Sequence, residues 1–124
     1  MMQERELVIR VVAMPADTNS SGDIFGGWLL SQMDLAAWVC ARKLTPHRLV
    51  TVALDKVIFH RPVYVGDCVI CYAQVERIGR TSISIHIDAL VERADGTAEE
   101  QVTEGRFTLV AIGEDRKPVP VRAE

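Results

Sequence analysis

The chain has 124 residues, 48% hydrophobic and 25% charged, with a formal net charge of −3. That length is one domain with enough apolar material for a core, expected to span 1–124. The mild acidity excludes a general nucleic-acid binder, whose phosphate contacts need clustered Lys and Arg. No apolar run reaches the roughly 18 residues of a membrane span, and the opening MMQERELVIR lacks the apolar stretch of a secretory signal. Three cysteines, an odd count, fit a reducing compartment better than a disulfide framework, so the expected location is the cytoplasm, away from the membrane.

Residues 6–13, ELVIRVVA, are β-branched and strand-like. The next stretch, MPADTNSSGDIFGG, breaks all periodicity with Pro15, Asp17, Asn19, Gly22, Gly26 and Gly27, and reads as a loop. Residues 28–43 are rich in Leu, Ala, Met and Gln without Pro or Gly, which predicts a helix. Thr45-Pro46 ends it, since Pro cannot continue a helix. Strands follow at 49–60, 68–77, 81–93 and 100–112. Breaks fall at Arg61-Pro62, at Val65-Gly66-Asp67 and at Gly79, and Ala94-Asp95-Gly96-Thr97 carries the Asp-Gly hairpin signal. In 81–93 the alternation is clean, with Ile83, Ile85, Ile87, Ala89 and Val91 on one face. Short turns predict antiparallel neighbours. One apolar helix and five strands can bury each other in an α+β, two-layer fold. The tail from Gly113, polar and Pro-containing, is expected to be loose.

The helix poses a chemical question. From Trp28 to Ala41 only Ser31, Gln32 and Asp34 interrupt the apolar run. A helix this apolar is buried on most sides, and one sheet covers only one side, so a second copy should cover more. Asp34 has Leu30, Ser31, Ala37 and Trp38 at helical spacing, none of them a cation. Burying an unpaired carboxylate is costly, and burial should raise its pKa, which suits a general base or nucleophile. The competing reading is a carboxylate on a wet stripe or bonded to a strand backbone.

The loop before the helix bears on that choice. Glycines there allow close approach to the backbone, and free N–H groups at a helix N-terminus could stabilise an oxyanion. The same loop could simply cap the helix through Asp23 or Asn19, and both readings can hold together. Asp34 lies seven residues beyond Gly27, about 10 Å along a helix axis; its side chain leans back over only part of that gap, so one carbonyl would struggle to touch both in the same copy. Antiparallel helices in a dimer could bring Asp34 of one copy to the loop of the other, so a composite site at a homodimer interface is expected.

The run MPADTNSSGDIFGGWLLSQMD, residues 14–34, resembles the signature of the YciA-like acyl-CoA thioesterases of the hotdog fold. The segments Thr51-Val52-Ala53, Phe59 to Pro62, Val65-Gly66-Asp67 and Gly79-Arg80-Thr81-Ser82 are similar as well. The resemblance covers about residues 7–113. It implies a long central helix wrapped by a five-stranded antiparallel sheet, dimers joined edge to edge, and assembly as a trimer of dimers, a hexamer. The implied activity is hydrolysis of acyl-CoA to free CoA and a carboxylic acid, with no cofactor, since CoA is part of substrate and product. The family's catalytic Asp falls on Asp34 and its catalytic Asn on Asn19. The glycine amide that polarises the carbonyl falls at Gly26 or Gly27, and the CoA-contacting turn on Gly79, Arg80, Thr81 and Ser82. CoA phosphates call for cations; Arg80, in a turn beside two hydroxyls, is the first choice, ahead of Arg61 and Lys56. The short tail puts an extra C-terminal helix in doubt.

Other signals are set aside. Cys68 and Cys71 sit at i and i+3 of a strand, facing opposite sides, and cannot chelate one ion or pair easily; no metal site is expected. His47, His60 and His86 are scattered outside the loop and helix, which favours hydrolysis over a dehydratase needing a His base. Trp28 and Trp38 read as core or interface packing, and Glu99, Glu100 and Glu104 as a solvated strand edge. The rival functions are a non-catalytic acyl-CoA-binding module and a thioesterase acting on an acyl carrier protein.

Overall fold

The alternating run becomes strand β4 (Ser82–Glu92) in a computed structural model that describes residues 5–96 and 99–122. Ile83, Ile85, Ile87, Ala89 and Val91 are all fully buried. Around β4 the sheet grows antiparallel on both sides. Strand β3 (Cys68–Ile78) and then β1 (Glu6–Val12) lie on one flank; β5 (Glu100–Ile112) and then β2 (Arg48–Phe59) lie on the other. The order β1-β3-β4-β5-β2 leaves β1 and β2 as the two edges.

Helix α1 (Gly26–Ala41) packs over the inner face of this sheet, chiefly on β4 and β3. Leu29, Met33, Ala36, Ala37, Cys40 and Ala41 form its buried face. Each large side chain placed there contributes about 1.5–3 kcal/mol of apolar burial. Across from it lie Val69, Cys71 and Ala73 of β3 and Phe107, Leu109 and Ala111 of β5. The result is the expected α+β arrangement of one long helix on a five-stranded antiparallel sheet.

Four local expectations need correction. The helix begins at Gly26, so Gly26 and Gly27 are its first two residues rather than the end of the loop. Their poor helix propensity hid this. Strands β2 and β3 are not neighbours: the intervening segment crosses from one flank of the sheet to the other. It is a packed crossing, with Val63 buried and the buried Asp67 accepting from Arg93 Nη1 at 2.7 Å and from the Tyr64 N–H at 2.9 Å.

Glu99 and Glu100 are exposed, as a solvated position requires, but Glu100 and Glu104 belong to β5, an interior strand rather than an edge of the sheet. Glu104 meets His60 Nε2 at 2.7 Å and Glu100 meets Arg93 Nη2 at 2.7 Å. Finally, the tail is anchored. It turns at Gly113, pairs Pro118 with Ile112, and buries Val121 in the core. In the β4–β5 connection Gly96 has φ +81°, as an Asp-Gly turn requires; Thr97 of that predicted signal lies outside the described residues.

Candidate active site

Two regions hold the catalytic candidates, Asp34 in one and Asn19, Gly26 and Gly27 in the other. The first is a groove between the outward face of α1 and the start of β2. It encloses about 690 Å³ and is lined by Ser31, Gln32, Asp34, Leu35, Trp38, Leu49, Val50 and Thr51. Asp34 projects from the middle of the helix and is half-buried. Its carboxylate is not bare: Thr51 Oγ1 donates to Asp34 Oδ1 at 2.7 Å. The partner is a neutral hydroxyl on a strand rather than a cation or a strand backbone group. Thr51 sits beside a β-bulge, where the β2–β5 register shifts between Thr51 and Ala53; bulges re-aim side chains.

The second region is the loop entering α1. A 3-10 turn at Pro15–Asp17 and a bridge between Thr18 and Ile24 give it shape. Asn19 organises its centre. Its side-chain Oδ1 accepts from the N–H of Ser21 at 2.9 Å and of Asp23 at 3.2 Å, while its own N–H donates to the Asp23 carbonyl at 2.7 Å. Gly22, at φ +88°, makes the tight return possible.

Neither Asp23 nor Asn19 caps the helix, as sequence had allowed. The N-cap is Phe25, without a side-chain cap bond, and Asn19 Oδ1 is engaged within its own turn. The first-turn amides, those of Gly26 and Gly27 among them, therefore have no intrahelical acceptor and carry the positive end of the dipole. Both glycines and Phe25 are exposed, and a Cβ at Gly26 would lie 3.5 Å from the Phe59 ring. Within one chain Asn19, Gly26 and Gly27 do not line the Asp34 groove.

The remaining candidates lie apart. Gly79, Arg80, Thr81 and Ser82 form the β3–β4 turn, closed by the Gly79 N–H donating to the Ser82 carbonyl at 2.8 Å. Arg80 is exposed there. Arg61 is also exposed, but its Nη1 donates to the Gln101 carbonyl at 2.7 Å, which ties it to β5. Lys56 occupies a positive-φ position at φ 55°, in the second β2 bulge.

Cys71 is fully buried, and burial pushes its thiol up to about 12; Cys68 is only half-buried. Among the described residues no group of His, Cys, Asp or Glu could hold a metal ion, and no helix is long and apolar enough to cross a membrane. Trp28 packs against the core, whereas Trp38 is 39% exposed in the groove. In the sequence Thr51 stands out only as part of the similar segment Thr51-Val52-Ala53. Its role as the partner of Asp34 follows from a contact between helix and strand that helical spacing cannot reveal.

Comparison with known proteins agrees with this architecture. A model of the thioesterase superfamily matches residues 21–97. The acyl-CoA thioester hydrolase YciA of Salmonella typhimurium is 48% identical over 119 residues, covering 94% of this chain and 90% of the relative. YciA of Escherichia coli is 46% identical over 116 residues, 91% of this chain and 88% of the relative. A hexameric thioesterase from Yersinia pestis superposes with a TM-score of 0.90 at 45% identity, over 96% of this chain and 97% of that one. A hexameric hotdog-fold thioesterase of Campylobacter jejuni gives 0.88 at 43% identity, over 94% and 90%. The sheet order, the central helix and these similarities together place the chain in the thioesterase superfamily, among the YciA-like hotdog proteins.

Proposed function

We propose that the chain hydrolyses acyl-CoA thioesters to free CoA and a carboxylic acid, with Asp34 as the reacting carboxylate. The observation that carries this reading is the setting of Asp34. It is half-buried in an open groove and held through Oδ1 by the Thr51 hydroxyl at 2.7 Å. A single neutral donor on Oδ1 leaves the second oxygen to meet a water proton or an acyl carbon. The hydroxyl also holds its orientation, which is what positioned catalytic groups need.

The thioester carbonyl would rest against the first-turn amides at Gly26 or Gly27, which stabilise the oxyanion as it forms. Asp34 either takes a proton from the water that attacks the carbonyl carbon, or attacks that carbon itself to give a mixed anhydride. In both routes the C–S bond breaks and CoA leaves as the thiol. In the second, water then cleaves the anhydride and restores the carboxylate. Asn19 orients the water or the carbonyl. The turn Gly79–Ser82, with Arg80 and more distantly Arg61, contacts the CoA portion. CoA enters as substrate and leaves as product, and no cofactor takes part.

Asp34 of one copy works with the loop of a second copy in this reading. Two features support it: the groove and the loop do not meet within one chain, and large apolar side chains are exposed beside both. Leu35 is 49% exposed, Phe25 56% and Phe59 52%. Edge strand β2 adds Val52, Leu54 and Ile58. An unpaired, apolar edge invites pairing with another chain. The similar structures are hexamers, and the proposed assembly is a trimer of such dimers.

Thiol release from a panel of short, medium and long acyl-CoA substrates tests the activity; no turnover of any of them contradicts it. A single turnover in oxygen-18 water separates the two routes. Label in the Asp34 carboxylate indicates direct attack; label only in the released acid, together with no borohydride reduction of Asp34 to homoserine during turnover, indicates a general base.

A further inference from the structure

We infer that the C-terminal tail is a positioning clamp for the turn that receives the CoA portion of the substrate, with Val121 as its key residue. The inference rests on the acyl-CoA reading above but concerns residues that reading does not use.

After β5 the chain reverses. The Gly113 N–H donates to the Lys117 carbonyl at 3.0 Å, and Asp115 Oδ1 accepts the Lys117 N–H at 3.1 Å. The returning strand pairs Pro118 with Ile112, and the Val119 N–H donates to the Ala111 carbonyl at 2.9 Å. Two residues on, the Val121 N–H donates to the Arg80 carbonyl at 2.8 Å. The neighbouring Thr81 carbonyl takes the Ala111 N–H at 2.9 Å. The backbone of the turn is therefore held from two sides, and one of the two holds belongs to the tail.

That hold is deliberate in physical terms. A tail of prolines and charges has little reason to order itself. Yet Val121 is 1% exposed and part of the core cluster, and Val119 packs against the same cluster. Burying Val121 fixes its N–H beneath Arg80. The turn could otherwise flex at Gly79, whose N–H closes only the Ser82 side. Val121 touches no reacting atom in this scheme. It acts by holding the Arg80 peptide, and through it the direction of the Arg80, Thr81 and Ser82 side chains.

The test compares an acyl-CoA with the matching acyl-pantetheine, which lacks the nucleotide. Val121→Pro removes the N–H donor, and Val121→Ala keeps the donor but weakens the anchor. Losing one hydrogen bond to the turn should raise KM for acyl-CoA about fivefold, with kcat for acyl-CoA and kcat/KM for acyl-pantetheine unchanged. Val121→Ala should show the same pattern more weakly, and serves alone if Val121→Pro does not fold. Equal losses on both substrates, or no loss on acyl-CoA, overturns the inference. A wild-type protein that does not distinguish the two substrates instead overturns the assignment of the turn to CoA, so the two failures are separable.

Discussion

The two faces of α1 both carry large apolar side chains and do different work. One carries Leu29, Met33, Ala36, Ala37, Cys40 and Ala41 into the core. The other carries Ser31, Asp34, Leu35 and Trp38 into an open groove beside β2. Both are apolar enough that the helix has almost no amphipathic contrast in its sequence, so the distinction comes from what each face meets. The inner face meets β3 and β4 and is closed to water. The outer face meets only the start of β2, and it places one carboxylate among apolar side chains that a second copy can cover. A helix that is apolar on both sides thus signals two partners, the sheet of its own chain and something beyond it.

The largest effect is expected at the outer face. Asp34→Asn should lower kcat by about 10²–10⁴-fold, with circular dichroism unchanged and CoA still bound in an equilibrium assay. Its sequence neighbour Met33 gives the opposite signature. Met33→Ala opens a void in the core and should cost about 2–5 kcal/mol of stability in a denaturant titration, while the folded fraction keeps its kcat.

Leu35→Glu should leave the fold intact and shift the sedimentation profile toward smaller species, because it would put a charge on the exposed apolar face that the proposed dimer buries. Activity should fall with the assembly. Thr51→Val removes the hydroxyl that holds Asp34 and nearly preserves volume. It should lower kcat about tenfold, the worth of one hydrogen bond to a charged group, and should leave the melting temperature close to wild type.

The smallest effect contrasts thiols. Cys40, on the inner face, is buried, and desolvation raises its pKa; Cys71 is also buried, at about 12. At neutral pH both should react slowly with a thiol reagent. Of the three cysteines, only the half-buried Cys68 is open to the reagent and should react before denaturant is added.

Much of this architecture is legible in the sequence wherever a local pattern decides the structure. The isoleucines of β4 alternate because one face is buried, and that alternation is readable without a partner strand. Asp34 stands out because a charge in an apolar helix is conspicuous on its own. Other features depend on what meets what. Thr51 reaches Asp34 across 17 positions from a strand, outside any helical spacing. The position of β2 beside β5 rather than β3 is a matter of sheet order, which linear order does not encode. The tail looked loose because Val119 and Val121 are isolated among prolines and charges. Their order comes from Arg80, Ala111 and the core, all distant in the chain or invisible to periodicity.

The proposed partnership of Asp34 with the loop of another copy is tested most directly by subunit mixing. Asp34→Ala and Asn19→Ala proteins are each prepared inactive, then unfolded together and reassembled in equal amounts. In a symmetric dimer with shared sites, a mixed pair holds one intact site, so random mixing should restore about a quarter of wild-type activity. Activity no greater than the sum of the two parents would place Asp34 and Asn19 in the same copy and contradict the account.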